Sequence, residues 1–181
     1  MQRSDDPIAD TRLWLERAVI GLNLCPFAKA VVVKDQVRFV LSDATTPEAL
    51  LEVLGEELLR LRDTPAAEID TTLIVHPQVL GNFLDYNDFL DDADGLVEAL
   101  ELDGVLQVAS FHPDYQFAGT GHDEIGNYTN RAPYPTLHLL REDSVTRAVD
   151  AYPEPDSIID RNLDTLERLG HDGWARLFVK H

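Results

Sequence analysis

The stretch TTLIVHPQVLGNFLDYNDFLDDADGLVEALELDGVLQVASFHP, residues 71 to 113, decides the fold. TTLIV (71–75) is a short run of β-branched and apolar residues, stopped by His76-Pro77, and predicts a strand. Over 87 to 102, Leu90, Ala93, Val97 and Leu100 recur at helical intervals and predict a helix with these residues on its inner face. VLQVASF (105–111) reads as a second strand, ending at His112-Pro113. Strand, helix and strand in that order imply a crossover connection and a sheet that is at least partly parallel.

Upstream, Thr46-Pro47-Glu48 supplies a cap, a proline at the first helical position and an early acid, and Leu50, Leu51, Leu54 and Leu58 form the apolar face that follows. AVVV (30–33) and VRFVL (37–41), divided by Lys34-Asp35-Gln36, read as two short strands suited to a hairpin. Leu15, Val19 and Leu22 give a first helix over 10 to 24 with Asp10 as its N-cap, ended by Pro26. Downstream, PTLHLLR (135–141) is another strand, and helices are expected over 143–151, 157–169 with Gly170 as the stop, and 173–180. The expected architecture is one α/β domain over residues 1–181. It has a mixed, partly parallel sheet of four or five strands, packed helices and a helical C-terminal third.

Charge narrows the function classes. Fifteen Lys plus Arg stand against 33 Asp plus Glu, a net charge of −18 that repels a polyphosphate backbone, so no nucleic-acid partner is expected. No apolar run approaches a membrane span and the opening MQRSDDP has no apolar signal core, so a cytoplasmic protein with no membrane partner is expected. Oligomeric state is not legible. The lone Cys25 suits a reducing compartment and excludes a multi-thiolate metal site within one chain.

Candidate chemistry gathers in HPDYQFAGTGHDEIGNYTNR, residues 112 to 131, a polar loop too long to be an idle connection. If the strands before His76 and His112 run parallel, both histidines emerge at the carboxyl edge of the sheet, where open α/β folds place ligands; the alternative is that each merely precedes the proline that stops its strand. Cys25 is either a small buried hydrophobe or a nucleophile, and the second role needs a base such as His112 or His122 with Asp114 orienting the ring. Arg131 closes a tract that holds no other Lys or Arg back to Arg62 while Asp and Glu number fourteen. It either clamps a substrate carboxylate or phosphate, or pairs with Asp114, Asp123 or Glu124 to shape the loop. Tyr115, Gln116, His122 and Asn130 complete the polar lining expected for a small-molecule substrate. Asp85, Asp88, Asp91, Asp92 and Asp94 read as a solvated helix face whose spacing does not fit a Ca²⁺ loop. Gly119, Gly121 and Gly126 fit neither a Walker loop nor a dinucleotide fingerprint.

At LNLCPFAK (22–29), FHPDYQFAG (111–119) and NRAPYPTLHLLRE (130–142) the chain resembles an uncharacterised bacterial family of unknown function. The likeness implies a bacterial cytoplasmic origin and one domain of about this length. It implies no substrate, cofactor or catalytic residue.

Three function classes follow. The first is a small Cys-His hydrolase or group-transfer enzyme acting on a small anionic or peptide-like substrate, with Cys25 as nucleophile, His112 as base, Asp114 as orienting acid and Arg131 as anion clamp. The second is a hydrolase or oxygenase holding one divalent metal, Zn²⁺, Mn²⁺ or Fe²⁺, on His76, His112, Asp114 and His122. The third is a non-catalytic acidic binding module that uses the loop as a recognition surface.

Overall fold

The computed structural model describes residues 3–179. Ten regular elements follow in order: α1 (Pro7–Trp14), α2 (Ala28–Val33), β1 (Val37–Leu41), α3 (Pro47–Asp63), β2 (Thr71–Val75), α4 (Phe83–Ala99), β3 (Leu106–Phe111), β4 (Thr136–Arg141), α5 (Glu142–Ala151) and α6 (Ile158–Arg176). The protein is mixed α/β, with one open four-stranded sheet of order β1-β2-β4-β3. β1 and β2 pair in parallel, while β4 lies antiparallel between β2 and β3. β1, β2 and β3 therefore share one direction, and their carboxyl ends meet the amino end of β4.

Side-chain alternation sends the two faces of the sheet into two cores. Ile74, Leu106, Leu137 and Leu139 face one way, against Leu50, Leu54, Leu58 and Leu61 of α3 and Tyr86, Phe89, Ala93 and Val97 of α4. Leu73, Phe39 and Phe111 face the other way, into a more aromatic cluster with Trp14, Leu166, Trp174 and Phe178. β2 is buried along its whole length, as its unbroken TTLIV run requires of a central strand covered on both faces. α3 begins as its sequence dictates, with Thr46 Oγ1 accepting from Ala49 N–H at 3.2 Å and Pro47 in the first turn. α4 starts earlier than 87, because Asn82 accepts from the Leu84 and Asp85 N–H groups.

Two local expectations are corrected and one is met. AVVV (30–33) lies within the short helix α2, so no hairpin precedes β1. Asp6, not Asp10, caps α1, through Oδ1 contacts of 3.1 Å to the N–H groups of Ile8 and Ala9. Gly170 interrupts the last helical run as expected: with φ 70° and ψ 173° it is not helical and divides α6 into two helices, the second reaching Arg176, while residue 180 lies outside the described residues.

Beyond α1 the chain widens into a π-helical turn over Leu15–Ile20, a single-turn form that often marks functional ground. Gly21 closes it with its N–H 3.0 Å from Glu16 O. A Cβ on Gly21 would stand 2.3 Å from the Arg17 carbonyl oxygen, so only glycine fits where this turn feeds into Leu22–Pro26.

Candidate functional site

The shared direction of β2 and β3 brings His76 and His112 out at one edge, with Tyr86 between them. The Tyr86 ring stacks on His76 at 5.9 Å between centroids and lies 4.9 Å from His112. Its hydroxyl donates to Thr136 O at 2.6 Å and accepts from Phe111 N–H at 3.1 Å, tying the start of β4 to the end of β3. Both imidazoles are buried.

Their hydrogen bonds fix their chemistry. His112 Nε2 lies 3.0 Å from Leu80 O, and its Nδ1 receives the Asp114 N–H at 3.0 Å. A carbonyl only accepts, so this pair of contacts assigns the neutral ring with its proton on Nε2 and leaves no lone pair for a base. Burial holds the His112 pKa below the ordinary histidine value. His76 donates through Nδ1 to Val79 O at 3.1 Å, while its buried Nε2 has no hydrogen-bond partner among the described residues. Burial pushes this ring's pKa down to about 4.

Loop 112–131 is folded around its own polar side chains. Arg131 is buried and spends its guanidinium on main-chain oxygens, Nε to Tyr115 O at 3.1 Å and Nη2 to His122 O at 2.6 Å, over the Tyr128 ring at 4.5 Å. Asn127 is fully buried: its Oδ1 accepts from Phe117 N–H and the Thr120 hydroxyl, and its amide donates to Gly121 O at 2.8 Å. Gln116 donates to Thr120 O at 2.6 Å, and Asn130 to Ser110 O at 3.0 Å. His122 and Asp114 reach outward, 3.7 Å apart.

These contacts revise the expected roles. Arg131 staples the loop through carbonyl oxygens, neither through the expected acids nor as a clamp with its fork turned to a ligand. The four-residue metal set does not assemble: among the described residues no group of three or more His, Cys, Asp or Glu could hold an ion. The Nδ1 of His112 is occupied by a main-chain N–H, and only the exposed pair His122 and Asp114 are neighbours within that set. The Cys25–His112 pair is not formed either. Cys25 packs into the aromatic cluster of the opposite sheet face, together with Ile125 and Tyr128 of the loop. Its thiol meets the N–H groups of Phe27 and Ala28, yet burial outweighs them and pushes its pKa up.

Two features of this edge escaped the sequence reading. Asp10, read as a cap, is buried and accepts from the Tyr134 hydroxyl at 2.8 Å and from Ser4 Oγ at 2.7 Å. Burial and this carboxylate push the Tyr134 pKa up to about 12. The partners are 124 positions apart, so only the presence of Tyr between two prolines in PYP was visible beforehand. The second feature is a run of rings from core to surface: Tyr86 to Phe83 at 6.3 Å, Phe83 to Tyr115 at 5.1 Å, and Tyr115 to Phe117 at 4.9 Å. Phe117 is 40% exposed and Leu84, beside Phe83 on α4, is 71% exposed.

An open mixed sheet, with a folded loop joining the carboxyl end of β3 to the amino end of β4, is the class of protein that this architecture defines. The chain belongs to the family described as "Protein of unknown function (DUF1415)", whose model matches residues 6–176. Comparison with curated proteins and with solved structures found no match. No helix among the described residues is long and apolar enough to cross a membrane.

Proposed function

We propose that this protein is a binding module whose contact surface is the aromatic run from α4 into loop 112–131, and that it captures a basic polypeptide segment with an apolar anchor. The observation that carries the reading is the run itself: Phe83 and Tyr115 lead from the buried Tyr86 to the exposed ring of Phe117, and Leu84, next to Phe83 on α4, is exposed as well. Apolar groups of this kind anchor interfaces, and the charge around them selects the partner. Here that charge is negative, since the tract from Asp63 to Asn130 holds fourteen acids and no Lys or Arg. Asp85, Asp88, Asp91 and Asp92 of α4, the helix that Phe83 begins, and Asp114, next to Tyr115 in the chain, are exposed.

The test is fluorescence anisotropy with labelled peptides that carry one Leu or Trp among lysines, against matched peptides that carry glutamates. Basic peptides should bind, weaken as salt rises, and lose roughly tenfold on Phe117→Ser, the effect of removing one interface anchor. Binding indifferent to peptide charge, or unchanged in Phe117→Ser, would refute the module.

A second reading keeps Cys25 as the nucleophile of a small hydrolase or transferase. It rests on the two main-chain N–H groups that meet the thiol and oppose the upward push of burial on its pKa, without His112. Alkylation by iodoacetamide in the native protein, faster than in a free thiol at neutral pH, supports it. A thiol that reacts only after denaturation removes it.

A further inference from the structure

A cleft of about 320 Å³ opens between the Leu22–Pro26 turn and α6. The turn presents Leu22 and Pro26 as one wall, and the other, on α6, presents Ile158 together with Arg161 and Arg168. Asn162 joins the two walls, its amide donating to Leu24 O at 2.8 Å. Arg161 Nη1 donates to the Tyr152 hydroxyl, and Tyr152 is steadied edge-on by Phe27 at 5.8 Å. The other N–H groups of Arg161 have no protein acceptor among the described residues. Arg168 pairs with Asp164 one turn earlier on the helix. Two guanidinium groups thus face one carboxylate in a chain that otherwise carries acids over bases by 33 to 15.

We propose that this cleft binds a small organic oxyanion, a carboxylate or phosphate ester, with its head on the free face of Arg161 beside Arg168 and its short apolar part against Leu22, Pro26 and Ile158. A guanidinium offers donors in a rigid fork that matches both oxyanions, and Tyr152 holds this one in place. The volume falls at the lower end of small-ligand sites. Surrounding charge sets the upper limit on the ligand, since a polyanion reaching past the cleft meets a surface of net charge −18. Cys25 lies on the same turn as Leu22 and Pro26 but packs against the aromatic cluster and does not line the cleft, so ligand binding does not involve its thiol.

The test is calorimetric titration of the full chain with hexanoate, phenyl phosphate and inorganic phosphate. Controls are Arg161→Gln, Arg168→Gln and Arg62→Gln, the last removing the same charge from an exposed pair with Asp63 outside the cleft. Saturable binding of hexanoate or phenyl phosphate is expected, tighter than inorganic phosphate. It should weaken by about tenfold or more in Arg161→Gln and stay unchanged in Arg62→Gln, as loss of a two-point ionic contact requires. Which of the two organic anions binds identifies the head group. No saturable binding to wild type, or an equal loss in Arg62→Gln, overturns the proposal.

Discussion

In loop 112–131 the guanidinium of Arg131 and the amides of Gln116, Asn127 and Asn130 all turn inward onto main-chain groups, whereas on α6 the guanidinium of Arg161 keeps most of its donors without an acceptor. Both regions are polar and both are irregular at their boundaries. The difference teaches that polar density marks a loop needing internal satisfaction, because buried donors and acceptors must be paired. A ligand site is marked instead by donors held in place but left unspent. In loop 112–131 and the start of α4 what remains for a partner is aromatic surface and negative charge.

The largest expected effect tests whether the sheet edge at His76 is closed to water. His76 has a folded pKa of about 4 against 6.5 for the free ring, so the unfolded chain takes up a proton that the folded chain refuses. Stability is therefore full above pH 6.5 and falls as pH drops toward 4, by on the order of 3 kcal/mol from this residue alone. His138, whose pKa burial also pushes down to about 4, acts in the same sense. Urea unfolding at neutral and acid pH measures the loss. An imidazole NMR titration of His76 with its midpoint near the free value would break the comparison, since it would put solvent at that edge.

Next comes the staple. Arg131→Ala removes two contacts to carbonyl oxygens and a ring contact, and should lower stability by about 3 kcal/mol in equilibrium unfolding. Asn127→Ala removes the neighbouring hub, and a double-mutant cycle should give less than the sum, because both residues hold the same loop. Strict additivity would mean that the loop is two independent halves.

The smallest effect sharpens the contrast from the other side. Arg161→Gln and Arg168→Gln should each change unfolding free energy by less than about 0.5 kcal/mol, as expected of exposed charges that do not support the fold. A loss as large as that of Arg131→Ala would make the cleft another self-satisfied region.

Element types along residues 71–113 were legible because hydrophobic period and punctuation agreed there: a β-branched run, an apolar spacing of three and four residues, and prolines after both strands. α3 was legible for the same reason, with a cap, a proline and a leucine face all pointing one way. The misreadings came where a single signal stood alone. AVVV is four residues, and a run that short does not separate strand from helix. The chain winds it into α2, leaving Val33 74% exposed and Val32 against the aromatic cluster. Asp6-Pro7 carried the same cap signature as Thr46-Pro47 and was available to be read.

The α/β class, the partly parallel sheet, the acid character of the middle of the chain and the polar character of the stretch 112–131 were legible from the sequence alone, because these depend on composition and on neighbours close along the chain. Only the tertiary structure decided how the polar residues were used. His112 loses both ring nitrogens to Leu80 and Asp114, Arg131 turns to carbonyl oxygens, Cys25 settles in the opposite core, and Tyr134 finds Asp10. Residue type sets what a side chain can donate or accept. Which partner it meets is set by how the strands order and how the chain closes over their ends, and no local pattern carries that information.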